Sequence, residues 1–409
     1  MKKARAIICG VLAALMLAGC GGSGIGKYAV AEAGTPAWTR KTEDRVDTET
    51  LRQFSDETAA VVFTGEGNAV YSPLSLYAAL GMLTELTDGQ TKQQMMDLLS
   101  VSDSEELRQW TQTLWRQLYR DGKDSALWLG NAVFLNENMT FHKEPLDVLA
   151  KSYYASSYQV SMGSKAADEA IAAWLNEQTN DLLTEDTGAI KTKERDLLRL
   201  YNTIYYKAGW QDTFESSRTE TDTFTAADGS KQQVDFMHRT DEGTYRKGEG
   251  YTAAPRRLKY GRMVFVLPDE GVTPESLLAR DGFLTELTGE YSMADVVWSV
   301  PRFDVKSSVD LKDILKALGV TDAFDENVAD FTPLTDSGAV VSSVMQAARV
   351  KIDEDGVEAA AYTEIVADTT AAEEPPPVVE MNLNRPFLFV ILNDANVPLF
   401  VGTVQTIEG

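Results

Sequence analysis

VKIDEDGVEAAAYTEIVADT, Val350 to Thr369, carries two patterns in one stretch. From Val357 every second residue is small or β-branched: Val357, Ala359, Ala361, Thr363, Ile365, Ala367 and Thr369. The intervening set, Glu358, Ala360, Tyr362, Glu364, Val366 and Asp368, is mostly polar or amphipathic. Successive side chains of a strand point to opposite faces, so the alternation describes a strand with one face fit for burial. Its flanks are unusual for an ordinary strand. Asp353-Glu354-Asp355-Gly356 reads as an acidic turn before it, and Glu373-Glu374 and Pro375-Pro376-Pro377 follow it. Prolines lack an amide donor and favour extended polyproline geometry, so any strand must stop before Pro375. Two readings stay open on these residues alone: a plain edge strand followed by a surface loop, or a loop able to become a strand.

Outward from this segment, the second half of the chain is rich in strand signals. Apolar runs at 261–267, 296–305 and 339–352 lead up to it, and a pair at 386–393 and 397–405 closes the chain. Earlier runs at 126–135 and 199–207 also read as strands. The first half favours helices. Leu51, Phe54, Ala59, Val62 and Phe63 mark one, and Leu107, Trp110, Leu114, Trp115 and Leu118 mark another. Between them, Ser72-Pro73 reads as an N-cap and first helical residue, Leu76, Leu80, Leu83 and Leu86 follow, and Asp88-Gly89 is expected to end that helix. Helices early and strands late, without regular βα alternation, predict an α+β fold with large mixed or antiparallel sheets.

The N-terminus reads as a targeting segment. Lys2, Lys3 and Arg5 precede an apolar run from Ala6 to Leu17, too short to span a bilayer as a helix. Leu17-Ala18-Gly19-Cys20 then resembles a bacterial lipobox. That pattern predicts a signal peptide over 1–19, lipidation of Cys20, and a flexible tether over 20–47 ahead of a domain at 48–409. Loss of the three basic residues takes the formal charge from −24 to −27. Such a chain repels nucleic acid, and it is expected to reach the membrane through lipid at the extracellular face rather than through a basic patch. The only cysteines are Cys9 and Cys20, so the domain has neither a disulfide nor a thiol catalyst.

Catalytic patterns are sparse. His142 and His238 are the only histidines, and neither has a second histidine or a cysteine near it at metal-ligand spacing. No G-x-S-x-G elbow and no S-x-x-K occurs. Paired acids are abundant, but 62 acidic residues make pairs inevitable, so carboxylates alone leave a glycosidase open.

Five motifs carry a resemblance. NAVYSPLSLYAALGMLTELTDGQTKQQM (Asn68–Met95), YNTIYYKAGWQDTF (Tyr201–Phe214), VPRFDVKSSVDLKDILKALGVTDAF (Val300–Phe324), EDGVEAAAY (Glu354–Tyr362), and NRPFLFVILN with PLFVGTV (Asn384–Asn393, Pro398–Val404) resemble serpin segments, in family order, over roughly residues 50–405. The resemblance implies three β-sheets, about nine helices and an exposed reactive-centre loop at about 354–380. It also implies a suicide-substrate mechanism in which a protease cleaves the loop and the loop inserts as a sheet strand. A monomer that is not an enzyme, with no cofactor and no metal, is the corresponding expectation.

Carried over residue by residue, the resemblance places Ser72, Ser75 and Asn202 where the opening strands are bridged. Gln346 stands where the family usually has a histidine, and an amide both donates and accepts, so the network survives without that histidine's pH sensitivity. Trp210 falls at the upper opening, with Glu354 as the acidic base of the hinge and Arg302 as its cation. Gly356, Val357, Glu358, Ala359, Ala360 and Ala361 make up the hinge, with Val357 replacing the commoner threonine. Tyr362 departs from a small residue but alternates to the outward face. Ala208-Gly209 shifts the usual glycine by one. Counting from Gly356 puts the reactive bond at Thr370-Ala371. Counting back from Pro386-Phe387 gives Ala372-Glu373 or Glu373-Glu374. No Lys or Arg lies between Lys351 and Arg385, so an elastase-like or subtilisin-like serine protease is expected rather than trypsin, with a glutamyl-specific enzyme as the fallback. The competing readings are a non-inhibitory surface binding protein of the same fold and a lipid-anchored hydrolase.

Overall fold

A computed structural model describes residues 24–36, 48–65, 67–123, 125–181, 188, 190–358 and 376–407. Cys20, Ala359, Ala360, Ala361, Thr370, Ala371, Ala372 and Glu373 lie outside the described residues. The helices are α1 (Thr48–Val62), α2 (Pro73–Leu86), α3 (Gly89–Leu98), α4 (Ser104–Leu118), α5 (Lys143–Ser152), α6 (Lys165–Gln178), α7 (Pro274–Leu278), α8 (Phe283–Glu286) and α9 (Lys312–Ala317). Every residue of α2 is buried, as an all-round apolar helix requires. Ser72 caps it, its hydroxyl accepting from the Ser75 N–H, with Pro73 in the first turn where a missing amide hydrogen costs nothing. Asp88-Gly89 proves to be a start rather than a stop. α2 ends at Leu86, Thr87 is extended, and the Asp88 carboxylate accepts from the Gly89 N–H to cap α3.

The first sheet runs in the order β1 (Ala29–Ala31), β5 (Ala155–Val160), β4 (Ser125–Asn136), β6 (Leu198–Gly209), β14 (Gly356–Val357), β13 (Val341–Ile352) and β12 (Phe303–Asp310), with β3 (Arg120–Asp121) beside β4. The second network runs β15 (Val378–Asn382), β11 (Ser292–Pro301), β8 (Lys231–Gly248), β9 (Tyr251–Arg257), β10 (Arg262–Pro268), β16 (Phe387–Leu392), β17 (Pro398–Val404) and β2 (Ala69–Tyr71), with β7 (Thr219–Thr225) beside β8. The expected three sheets are present, the second and third sharing β8. Its first part pairs with β7, most of its length pairs with β11, and its last three residues turn back into β9. The closing strands β16 and β17 are buried at every residue and form the centre of the core beneath α2.

Two boundaries differ from the sequence reading. The strand expected at 296–305 is two strands, because β11 belongs to one sheet and β12 to the other, and Arg302 is the crossover between them. Part of the stretch assigned to a free tether docks: Ile25 is buried, and Ala29 and Ala31 pair with Tyr158 and Ser157 of β5. The local reason is the apolar set Ile25, Tyr28 and Ala29, which packs with Tyr158 and Trp174.

Candidate functional site

The central strands β6 and β13 run parallel, and they meet over only part of their length. Pairing extends from Leu198 opposite Val341 to Thr203 opposite Ala347. Above that point β14 lies between them. Gly356 and Val357 pair antiparallel with Gly209 and Ala208 of β6, and Val357 pairs antiparallel with Ile352 of β13. Val357 is 2% exposed and packs in the main core. Gly356 has φ 150°, a conformation that side chains rarely adopt, and a Cβ there would lie 2.4 Å from the Ala208 carbonyl oxygen and 2.6 Å from the Gly209 Cα. The displaced glycine of Ala208-Gly209 thereby has a physical account: Gly209 is the residue that faces Gly356 at van der Waals limits.

The mouth of the sheet is closed by the turn Asp353–Gly356. The Asp353 carboxylate accepts from the Asp355 and Gly356 amides at 3.0 and 3.2 Å. Trp210, fully buried, donates from its indole Nε1 to the Asp353 carbonyl at 2.9 Å and from its backbone to the Asp355 carbonyl at 2.8 Å. The Phe214 N–H donates to the Glu354 carbonyl at 3.0 Å. Glu354 is 7% exposed, and its carboxylate accepts a fork from Arg302, Nη2 at 2.6 Å and Nε at 3.1 Å, with a further bond from the Thr219 hydroxyl. Burial pushes this carboxyl up, but the bonds from Arg302 and Thr219 and the Arg302 charge outweigh it and hold the group below the usual glutamate range. Arg302 is raised in turn, chiefly by its bond to Glu354. Glu354 and Arg302 are thus brought together as an ion pair at the mouth of the sheet.

Beyond Val357 the chain turns. Glu358 has φ 47°, its N–H donates to the Lys351 carbonyl, and its Oε1 accepts from the Tyr205 hydroxyl at 3.3 Å. Burial raises the Glu358 carboxyl above its ordinary range despite Tyr205 and the nearby Lys207, Arg349 and Lys351. It also raises Tyr205, to about 12, with the Glu358 charge adding to the effect. Asp355 is raised too, by burial and by the charges of Asp353 and Glu354.

The lower, closed part of the sheet has a neutral latch. Gln346 accepts from the Ser72 N–H at 2.8 Å through Oε1 and donates to the Ser72 carbonyl at 2.9 Å through Nε2. This is the two-sided bonding expected of an amide in that position. Asn202 stands opposite Gln346 in the ladder, but its own amide donates to the Asn131 side chain, which in turn donates to the Tyr153 carbonyl at 2.8 Å. Ser75 lies in the first turn of α2, where its backbone rather than its hydroxyl is engaged. Ser72 and Gln346 are thus brought together with Asn202 on the adjoining strand, while Trp210, Arg302 and Glu354 form a separate cluster at the top.

Three participants were not anticipated. Asn131 is a lone amide inside the apolar run ALWLGNAVFL, and a polar residue buried in such a run demands a partner, so the signal was present. Thr219 and Arg256 had none. Arg256 is 4% exposed, bonded to Asp241 at 2.6 Å, and its guanidinium lies 4.2 Å from the Phe214 ring centroid and 5.6 Å from those of Trp210 and Trp298. His142 places Nδ1 2.9 Å from the Pro333 carbonyl and Nε2 3.5 Å from Asp336. Among the described residues no group of three or more His, Cys, Asp or Glu has metal-binding geometry.

Residues 48–407 match the family described as serpin, serine protease inhibitor. Serpin-Z1C of Triticum aestivum is 29% identical over 82% of this chain and 89% of its own length. The protein Iris of Ixodes ricinus is 31% identical over 83% of this chain and 92% of its own. Among solved structures, the thermophilic serpin tengpin in its native state superposes with a TM-score of 0.82 at 26% identity, covering 93% of this chain and all of that one. With a family match across nearly the whole domain and the hinge, mouth and latch residues placed as above, the chain is a member of the serpin family.

Proposed function

We propose that this protein traps a serine protease of the elastase-like or subtilisin-like class by loop cleavage and strand insertion. The observation that carries the reading is the position of Gly356–Val357, paired antiparallel with β6 and with Val357 also bonded to β13, two strands that are parallel neighbours lower down. This is the first rung of an additional strand. Continuing its register one residue at a time sets Ala359 opposite Tyr206, Ala361 opposite Ile204, Thr363 opposite Asn202, Ile365 opposite Leu200 and Ala367 opposite Leu198. On β13 the same residues fall opposite Val350, Ala348, Gln346, Val344 and Ser342. Cross-strand partners share a face, and Tyr206, Ile204, Leu200, Leu198, Val350, Ala348 and Val344 all face the main core. The small and β-branched set of the loop is the set that would enter it. Thr363 would arrive between Asn202 and Gln346, with a hydroxyl suited to amides.

In chemical terms, the protease's serine adds to the Thr370 carbonyl and the Ala371 amine leaves. The loop, ester-linked to the enzyme, then completes the strand before water attacks. Incubation with elastase, subtilisin and trypsin tests this on a denaturing gel, with the bond mapped by mass spectrometry. The expected result is an SDS-stable adduct with one of the first two and a cut at Thr370-Ala371. An adduct with trypsin alone, or a cleaved loop with no rise in melting temperature, rejects the proposal. The second outcome favours the non-inhibitory surface binding protein.

The anchor belongs to the same reading. Cys20 would carry the lipid and hold the trap at the outer face of the membrane. Membrane fractionation of the protein and of Cys20→Ala checks it: release of the variant alone supports the anchor, and identical partition of both rejects it.

A further inference from the structure

A cleft of about 570 Å³ opens between β8, β9, β10 and β11. On one wall Arg262 of β10 stands directly opposite Arg257 of β9. Like charges facing each other across a ladder destabilise it, and in a chain of net charge −24 acidic partners are plentiful. Among the described residues neither guanidinium has one. Arg262 is half-buried and, among the described residues, its guanidinium makes no hydrogen bond or ion pair. The Asp394 carboxylate, whose charge favours the Arg262 cation, accepts from the Gly261 N–H at 3.1 Å. Burial disfavours the Arg262 charge, and the facing Arg257 adds to this. The other cations at the cleft are consumed. Arg256 and Arg239 are both bound to Asp241, and Arg246 holds the Glu286 carbonyl at 2.7 Å. Of the acids lining the cleft, Asp241 is neutralised by these two arginines, Glu242 stands on β8, and Asp212 offers its carbonyl to Arg256. Tyr291, Met293 and Trp298 supply an apolar side, with Met293 62% exposed.

We propose that this cleft binds a small organic oxyanion, a phosphate, sulfate or carboxylate ester or acid with an apolar body. Arg257 and Arg262 take the oxyanion, and Tyr291, Met293 and Trp298 take the body. Two planar guanidiniums side by side match a tetrahedral or planar oxyanion, and the ligand would relieve the repulsion between them. Binding is independent of whether the loop traps a protease. Its position is still consequential: Arg256 forms part of the cleft and also stacks on Trp210 and Phe214, whose amides hold the base of the hinge.

The test is tryptophan fluorescence of the full-length protein titrated with sodium phosphate, sodium sulfate and phenyl phosphate, each against sodium chloride at matched ionic strength. The expected result is a saturable change absent in chloride, tightest for phenyl phosphate, weakened tenfold or more in Arg262→Gln and less in Arg257→Gln. A second reading guards against misfolding. With no anion present, Arg262→Gln removes a repulsion, so its melting temperature should rise by about 1–2 °C. An equal change in chloride, undiminished binding in the double variant, or a lower melting temperature for Arg262→Gln overturns the site, the last by making Arg262 structural.

Discussion

The lower and upper halves of the β6–β13 pair are built on opposite principles. Below Thr203 and Ala347 the strands are bonded to each other, and the closure is fastened by a neutral amide, Gln346, on the backbone of Ser72. Above, they are parted by two residues of a third strand, and the closure is ionic, Glu354 on Arg302, with a glycine where a Cβ would meet the β6 backbone. The lesson is a division of labour. The lower half resists opening at any pH near neutrality, since nothing in its latch titrates there. The upper half is primed and responds to charge.

The largest expected effect lies in the lower half. Gln346→Leu leaves the buried Ser72 N–H without its partner, at about 2–3 kcal/mol, and chemical denaturation measures the loss. Gln346→His sharpens the contrast, because an imidazole with a pKa near 6.5 would give the latch a pH dependence that the parent lacks. Next is Gly356→Ala. Its backbone strain of about 1–3 kcal/mol is relieved by undocking β14, so hydrogen exchange at the Trp210 and Phe214 amides should accelerate while the lower half stays protected. Uniform acceleration would erase the distinction between the halves.

Third, Glu354→Gln weakens the Arg302 contact by about 1–2 kcal/mol and changes the acid response. Glu354 is held below its usual range, so its contribution is present above that range and lost as the pH falls through it. Glu358 and Asp355 are raised by burial, so their protonation under milder acid favours the docked hinge instead. Protection of the Trp210 amide relative to its intrinsic exchange rate should therefore rise slightly on mild acidification and then fall, and Glu354→Gln should lose the second phase. A single monotonic change in the parent would contradict this. Smallest is Tyr205→Phe, which removes one 3.3 Å bond to Glu358 and costs about 0.5 kcal/mol.

Much of this contrast was legible in the sequence because it is written in local pattern. The Ser72-Pro73 start and the unbroken apolar runs of β16 and β17 are short-range signals, and each sits where it was placed; the alternation after Gly356 is equally local, but past Glu358 it lies outside the described residues. What escaped depends on separation. Arg302 read as part of one strand because nothing local says that β11 and β12 belong to different sheets. Arg256 carried no local signal, because only the assembled fold brings Trp210, Phe214 and Trp298 around it. Asp88-Gly89 misled because the same residues cap a start as readily as they mark a stop.

The crowded glycine at the mouth also bears on how such a bait can change over generations. Because Gly356 fits only opposite Gly209, the count of residues before it is frozen, and one insertion there would turn every later side chain to the wrong face. Past Val357 no such pin exists among the described residues. On the proposed trapping reading, the near end of the loop is thus a fixed ruler for the strand.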